Sequence, residues 1–195
     1  VRAGFGHADS VWGFNGASLE ILQAAKAQRL RCIVEQTIAP LPVMNRLVRA
    51  EQERWPGWQP DLQITAEKTE NERRQAAEWE LADLIICGSQ FVVDSIAECG
   101  GPVEKCRVVP YGVDLGRFRM NEPRQRAPND RLRVLFAGEV GLRKGAPWLL
   151  EALISTLGPA RVEARFAGRV ALSSEKLEPY REVATFLGAV PRSRM

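Results

Sequence analysis

Apolar positions along the chain follow two alternating periods. Residues 10–12 form a short apolar piece, followed by the turn Gly13-Phe14-Asn15-Gly16, in which Asn15 stands where a helix cap is expected. Leu19, Ile21, Leu22, Ala25 and Ala27 then predict a helix that ends near Arg29. Residues 31–35 are a β-type run, and beyond the breakers Pro40 and Pro42 comes a basic amphipathic stretch over 43–55. Residues 61–81 are charged and periodic, which predicts a second long helix. Residues 83–87 (Asp-Leu-Ile-Ile-Cys) read as a strand, and Ser89 as the cap of a helix carrying Phe91, Val92 and Ile96. Gly100-Gly101-Pro102 ends that helix, and 106–109 is another strand.

From 111 to 130 the chain is polar and irregular, with Pro123 and Pro128, and reads as a linker. The alternation then restarts, with strands at 132–137, 162–167 and 184–187 and a helix over 146–157. Strand–helix alternation on both sides of a linker predicts an α/β protein with two Rossmann-like parallel-sheet domains. Their expected limits are 1–115 and 132–195, with the linker at 116–131. Runs such as 84–87 are expected to lie between helices, because parallel sheets are covered on both faces. The second domain reads as short and the first lacks a glycine-rich strand–turn–helix opening. The expectation is a piece of a longer protein, missing the start of the first domain and the end of the second, and poorly stable alone.

Composition narrows the class. Apolar residues make up 45% and charged residues 26%, the balance of a soluble globular protein. A net charge of +3 does not argue for nucleic acid, and the apolar runs are too short to span a bilayer. Cys32, Cys87, Cys99 and Cys106 form no CxxC pair and His7 is the only histidine, so no metal site is expected. Cys32 and Cys87 read as small core residues, which fits a reducing, cytoplasmic setting, with a Cys99–Cys106 bridge left open. Residues 43–58 admit two readings. Arg46, Arg49 and Arg54 around an apolar face ending in Trp55 and Trp58 suit peripheral contact with the inner face of a membrane. They also suit a helix packed on its own sheet with solvated arginines.

Four passages, in order, carry a family resemblance. They are Ala82-Asp83-Leu84-Ile85-Ile86-Cys87-Gly88-Ser89-Gln90-Phe91; Val108-Val109-Pro110-Tyr111-Gly112-Val113-Asp114 with Phe118; Phe136-Ala137-Gly138-Glu139-Val140-Gly141-Leu142-Arg143-Lys144-Gly145 with Leu149-Leu150-Glu151-Ala152; and, more weakly, residues 183–195. Together they resemble retaining glycosyltransferase family 4, enzymes of the two-domain GT-B fold, over nearly the whole chain. The resemblance implies transfer of a sugar from a nucleoside-diphosphate donor to an acceptor hydroxyl, on a sugar or lipid-linked sugar, with retention and without metal or cofactor.

The third passage also makes physical sense by itself. A strand ending at Gly138 opens a loop into a helix that begins near Ala146, and a helix N-terminus offers N–H groups and a positive dipole end to an anion. Arg143 and Lys144 add two cations there, while Gly138, Gly141 and Gly145 let the backbone approach a ligand. The resemblance makes Lys144 and Arg143 the stabilisers of the leaving diphosphate, and it assigns Gly188 and Val190 to a loop near the nucleobase. Gly13 and Asn15 fall on the acceptor side. The chain departs from the family pattern at Glu139, where many members carry arginine, and in having no histidine in the 13–16 loop. The family's paired glutamates would fall beyond Met195. A GT-B enzyme of other chemistry, such as a sugar-nucleotide epimerase, and a non-catalytic truncated polypeptide remain as alternatives.

Overall fold

Short aliphatic runs between turn formers become strands, and three-to-four-residue apolar periodicity becomes helix. In the computed structural model, which describes residues 4–63, 65–116 and 130–191, those patterns build two parallel sheets. The first contains β1 (Ser10–Phe14), β2 (Arg31–Gln36), β3 (Leu84–Cys87) and β4 (Cys106–Val108), in spatial order β1-β2-β3-β4. Its connections carry α1 (Leu19–Ala27), α2 (Leu41–Arg54), α3 (Ala66–Leu81) and α4 (Gln90–Glu98). The second contains β5 (Leu132–Ala137), β6 (Val162–Ala167) and β7 (Ala184–Gly188), in order β5-β6-β7. Here α5 (Ala146–Ala152) runs on into a wider i→i+5 turn over Leu153–Leu157, and a short α6 (Ser174–Leu177) precedes β7. Most of the expected linker, residues 117–129, lies outside the described residues.

Some boundaries differ from the sequence reading. Helix α1 begins at Leu19 with Ser18 as N-cap, not at Asn15. Helix α3 starts at Ala66 rather than at 61, because the Thr65 hydroxyl accepts the Lys68 N–H and fixes the first turn there.

Among the described residues, each sheet is covered by helices on one face. In the first, Val11, Cys32, Val34, Ile85, Cys87 and Cys106 point into a core with Leu22, Ala25, Trp79 and Ile96, while Trp12 and Phe14 on the opposite face are 57% and 56% exposed. In the second, Val162, Ala164, Phe166 and Ala184 are buried beneath Ala146 and Leu150, whereas Leu135 and Leu187 are exposed. The strand orders explain this. When successive parallel strands add in one direction, right-handed crossovers place every helix on the same side, and covering the other face needs a reversal of direction. Among the described strands neither sheet contains one.

The chain divides into two units, one comprising Val1–Arg46 with Gln63–Phe118, the other Leu47–Leu62 with Arg119–Met195. Residues 47–62, assigned to the first domain on sequence, thus pack with the second sheet. Aromatic burial is the reason. Trp58 lies in the second unit's core beside Tyr180, and Trp55 makes edge contacts with Trp58 at 5.1 Å and with Trp148 at 5.2 Å. The Trp148 indole N–H donates to Glu51 at 2.7 Å, and the Arg54 guanidinium sits 5.0 Å above the Trp148 ring. Burying one large apolar side chain contributes about 1.5–3 kcal/mol. The tryptophans considered for a membrane interface are therefore core elements, and Arg46 is engaged by Glu98 at 2.8 Å. No helix among the described residues is long and apolar enough to cross a membrane.

Candidate functional site

Parallel α/β sheets bind ligands beyond the carboxyl ends of their strands. In the second unit each strand reaches a glycine there: Gly138 follows β5, Gly168 follows β6 and Gly188 closes β7. The three strand ends are bonded in sequence, since the Gly138 N–H donates to the Ala167 carbonyl at 2.9 Å and the Gly168 N–H to the Gly188 carbonyl at 2.7 Å. Gly168 tolerates no side chain, because a Cβ on it would stand 1.8 Å from the Gly138 carbonyl oxygen, and its φ is +154°. Sequence reading assigned Gly138 and Gly188 but missed Gly168. The available signal was a glycine directly after three successive strands.

Beyond Gly138 the chain bridges in parallel to Val170 through Val140, and at Gly141 it turns into a single 3-10 turn, Leu142–Lys144. Gly145, in the left-handed region at φ +68°, reverses the backbone into α5, whose Pro147 is preset for a first helical turn. Among the described residues no side-chain hydrogen bond caps the start of α5. Val140, Leu142 and Ala146 are buried and anchor the loop. Arg143 and Lys144 are both exposed, and among the described residues neither has a carboxylate partner. Glu139 does not oppose them directly, because Arg169, from the loop after β6, pairs with it. Val190 lies half-buried two residues past Gly188 on the same edge. The loop after β5, Gly188 and Val190 are thus brought to one end of the sheet. An open groove of about 600 Å³, lined by Gly57, Gln59, Pro60, Asp61, Ala171 and Ser173 among others, adjoins the loop at Gly141.

The corresponding end of the first unit is arranged differently. Gly13 lies against Ser18, whose hydroxyl oxygen would be 2.1 Å from a Cβ built on it. The Asn15 side-chain oxygen accepts the Thr37 N–H and hydroxyl, both at 3.0 Å, tying the loop after β1 to the loop after β2. Glu78, fully buried on α3, accepts the Gly16 N–H at 2.6 Å and the Ser18 N–H at 2.7 Å. Ser18 makes no side-chain cap to its own helix, and its hydroxyl donates back to the Phe14 carbonyl at 2.7 Å. Tyr111, which donates to the Thr37 carbonyl, packs so close to Gly88 that a Cβ there would meet its ring at 2.7 Å. Both residues assigned to the acceptor side therefore reach the carboxyl edge of this sheet, each with a structural partner.

Asp83 is likewise a stitch between elements. It accepts the Cys32 N–H at 2.8 Å and pairs with Lys26 at 2.5 Å. Burial raises its carboxyl pKa, but those two donors together outweigh burial and hold it below the usual range. The thiols of Cys32, Cys87, Cys99 and Cys106 are free and all raised, chiefly by desolvation, Cys87 to about 12. None is poised as a thiolate nucleophile. His7 is exposed, and among the described residues no group of three metal-ligating side chains is found.

The same arrangement of strands and helices occurs in solved structures. The chain superposes on HepE (Alr3699) of Anabaena in complex with UDP, with a TM-score of 0.59, 17% identity, and coverage of 92% of this chain and 48% of that one. The complex with UDP-glucose gives 0.56 at 18% identity (94% and 49%), and that with UDP and glucose 0.57 at 16% (94% and 48%). The fold is shared. It is the α/β architecture of two parallel-sheet units expected of the GT-B type, and the chain spans about half the length of these matched structures. No family model matches the sequence, and no curated protein does.

Proposed function

We propose that this chain forms part of a glycosyltransferase and that its second unit binds the diphosphate of a nucleoside-diphosphate sugar. The observation that carries the reading is the loop after β5. Two exposed cations without a carboxylate partner among the described residues stand on a turn that leads into an uncapped helix, at the carboxyl edge of a parallel sheet. UDP and UDP-glucose bound to HepE, which has the same fold, give the donor class support. In this reading Lys144 and Arg143 neutralise the charge that grows on the departing diphosphate, an electrostatic role that strengthens as the bond to the sugar breaks. The sugar passes to an acceptor hydroxyl with retention, as the resemblance to family 4 implies, and Gly188 and Val190 stand near the base.

Equilibrium titration with UDP tests this. Lys144→Ala removes a charge-assisted contact and is expected to weaken UDP binding about ten- to hundredfold. Lys144→Arg is expected to retain part of the affinity, because charge survives while geometry changes. Equal UDP affinity in the wild type and Lys144→Ala, or no UDP binding by the wild type, overturns the reading.

A further inference from the structure

The turn bearing Arg143 and Lys144 is held by a residue 83 positions earlier in the chain. The Gln59 side-chain oxygen accepts the Leu142 N–H at 3.1 Å. Leu142 opens the 3-10 turn, so its N–H has no carbonyl three residues back to receive it, and its side chain is buried. Gln59 supplies the missing acceptor. The same oxygen would lie 3.1 Å from a Cβ on Gly141, a residue whose extended backbone would otherwise accept any side chain. A side chain at Gly141 would crowd the oxygen that bonds Leu142.

Gln59 is fixed from both sides. Before it, the Trp58 ring is buried in the core, and the Trp58 carbonyl accepts the Ser173 N–H at 2.8 Å. After it, Gln52 on α2 donates to the Pro60 carbonyl at 2.8 Å and accepts the Leu62 N–H at 3.2 Å, folding the segment back on its own helix. Gly57, at φ +74°, makes the reversal. With the backbone held on both sides, Gln59 has only its own side-chain torsions left to fix when it bonds the turn.

We infer that Gln59 is a positioning residue for the diphosphate-binding turn, setting the backbone on which Arg143 and Lys144 stand; this rests on the function proposed above. In this role Gln59 acts through the turn and not on the ligand. It acts by removing the alternative conformations of residues 141–145.

Amide hydrogen exchange at Leu142 and UDP titration, run on the wild type, Gln59→Met and Gln59→Glu, test it. Methionine keeps the length and loses the acceptor. Leu142 exchange is expected to accelerate about tenfold and UDP affinity to fall about three- to tenfold, with the melting temperature within about 3 °C of wild type. Glutamate keeps an acceptor at the same reach and is expected to restore Leu142 protection, which a merely space-filling role would not require. Unchanged Leu142 exchange in Gln59→Met overturns the inference whether or not UDP binds. So does accelerated exchange with unaltered UDP affinity, provided Lys144→Ala weakens binding. Accelerated exchange together with no UDP binding by the wild type overturns the proposed function instead, and leaves Gln59 as the residue that orders the turn.

Discussion

The turns β1–α1 and β5–α5 begin alike, each a strand running through a glycine-containing loop into a helix, and they end in opposite electrostatic states. At β1–α1 the protein has filled the helix start with its own anion. Both Glu78 oxygens take backbone N–H groups there, and Glu20 in the first turn is paired with Arg74 at 2.7 Å. At β5–α5 no side chain among the described residues caps the helix, and the residues before it include two cations. A helix N-terminus attracts negative charge either way, so the two turns differ in whether the protein itself supplies that charge. The first unit satisfies it internally. In the second, the Ala146 N–H turns back to the Gly141 carbonyl at 3.3 Å, and no carboxylate among the described residues pairs with the cations beside it.

Four substitutions would break or sharpen this contrast. The largest effect is expected from Glu78→Ala, which leaves one buried and one partly buried N–H without an acceptor and should cost about 3 kcal/mol in chemical denaturation. A loss below about 1 kcal/mol would mean that water serves the turn as well as the carboxylate does. Next is Gly168→Ala. Its methyl group would collide with the Gly138 carbonyl at the foot of the open turn, and a destabilisation of about 3 kcal/mol is expected, together with faster amide exchange at Gly138. A smaller effect concerns Glu20, whose pKa is lowered from 4.5 to about 2, first by the hydrogen bond from Arg74. A depressed carboxylate contributes stability above its unfolded pKa and loses it as pH falls, so the pair should weaken between pH 4.5 and about 2. Melting temperature followed over that window should fall less steeply in Glu20→Gln than in the wild type. Smallest of all is the stability effect of Lys144→Ala, expected to be within about 0.5 kcal/mol of zero. A marked loss there would mean that the open turn is structural as well.

Legibility followed the kind of signal involved. The second unit's first two strands fall on the residues expected, 132–137 and 162–167, because an aliphatic run between polar turns has few other ways to fold. The β5–α5 loop was visible for the same reason: glycines, cations and the strand–helix switch are all local. Glu78 and Gln59 were not visible. Each stands in a polar stretch that reads as solvated, and its burial or contact is decided by partners 62 and 83 residues away. The start of α1 was misplaced because Asn15 has the chemistry of a cap, and only the distant Thr37 shows that its oxygen is engaged elsewhere. Residues 47–62 kept the same amphipathic pattern whichever unit they packed on, so the pattern could not choose.

That last segment has a consequence for how the protein comes to be made. The backbone passes between the units after residues 46, 62 and 118, so no single cut separates them. On the ribosome, Trp58 and Gln59 emerge long before the strands and turn that will receive them. At about 5–20 residues per second, the 83 residues between Gln59 and Leu142 correspond to a wait of about 4–17 s. During that interval the indoles of Trp55 and Trp58 have no core to enter. The second unit thus takes part of its core from a piece of chain synthesised before its strands.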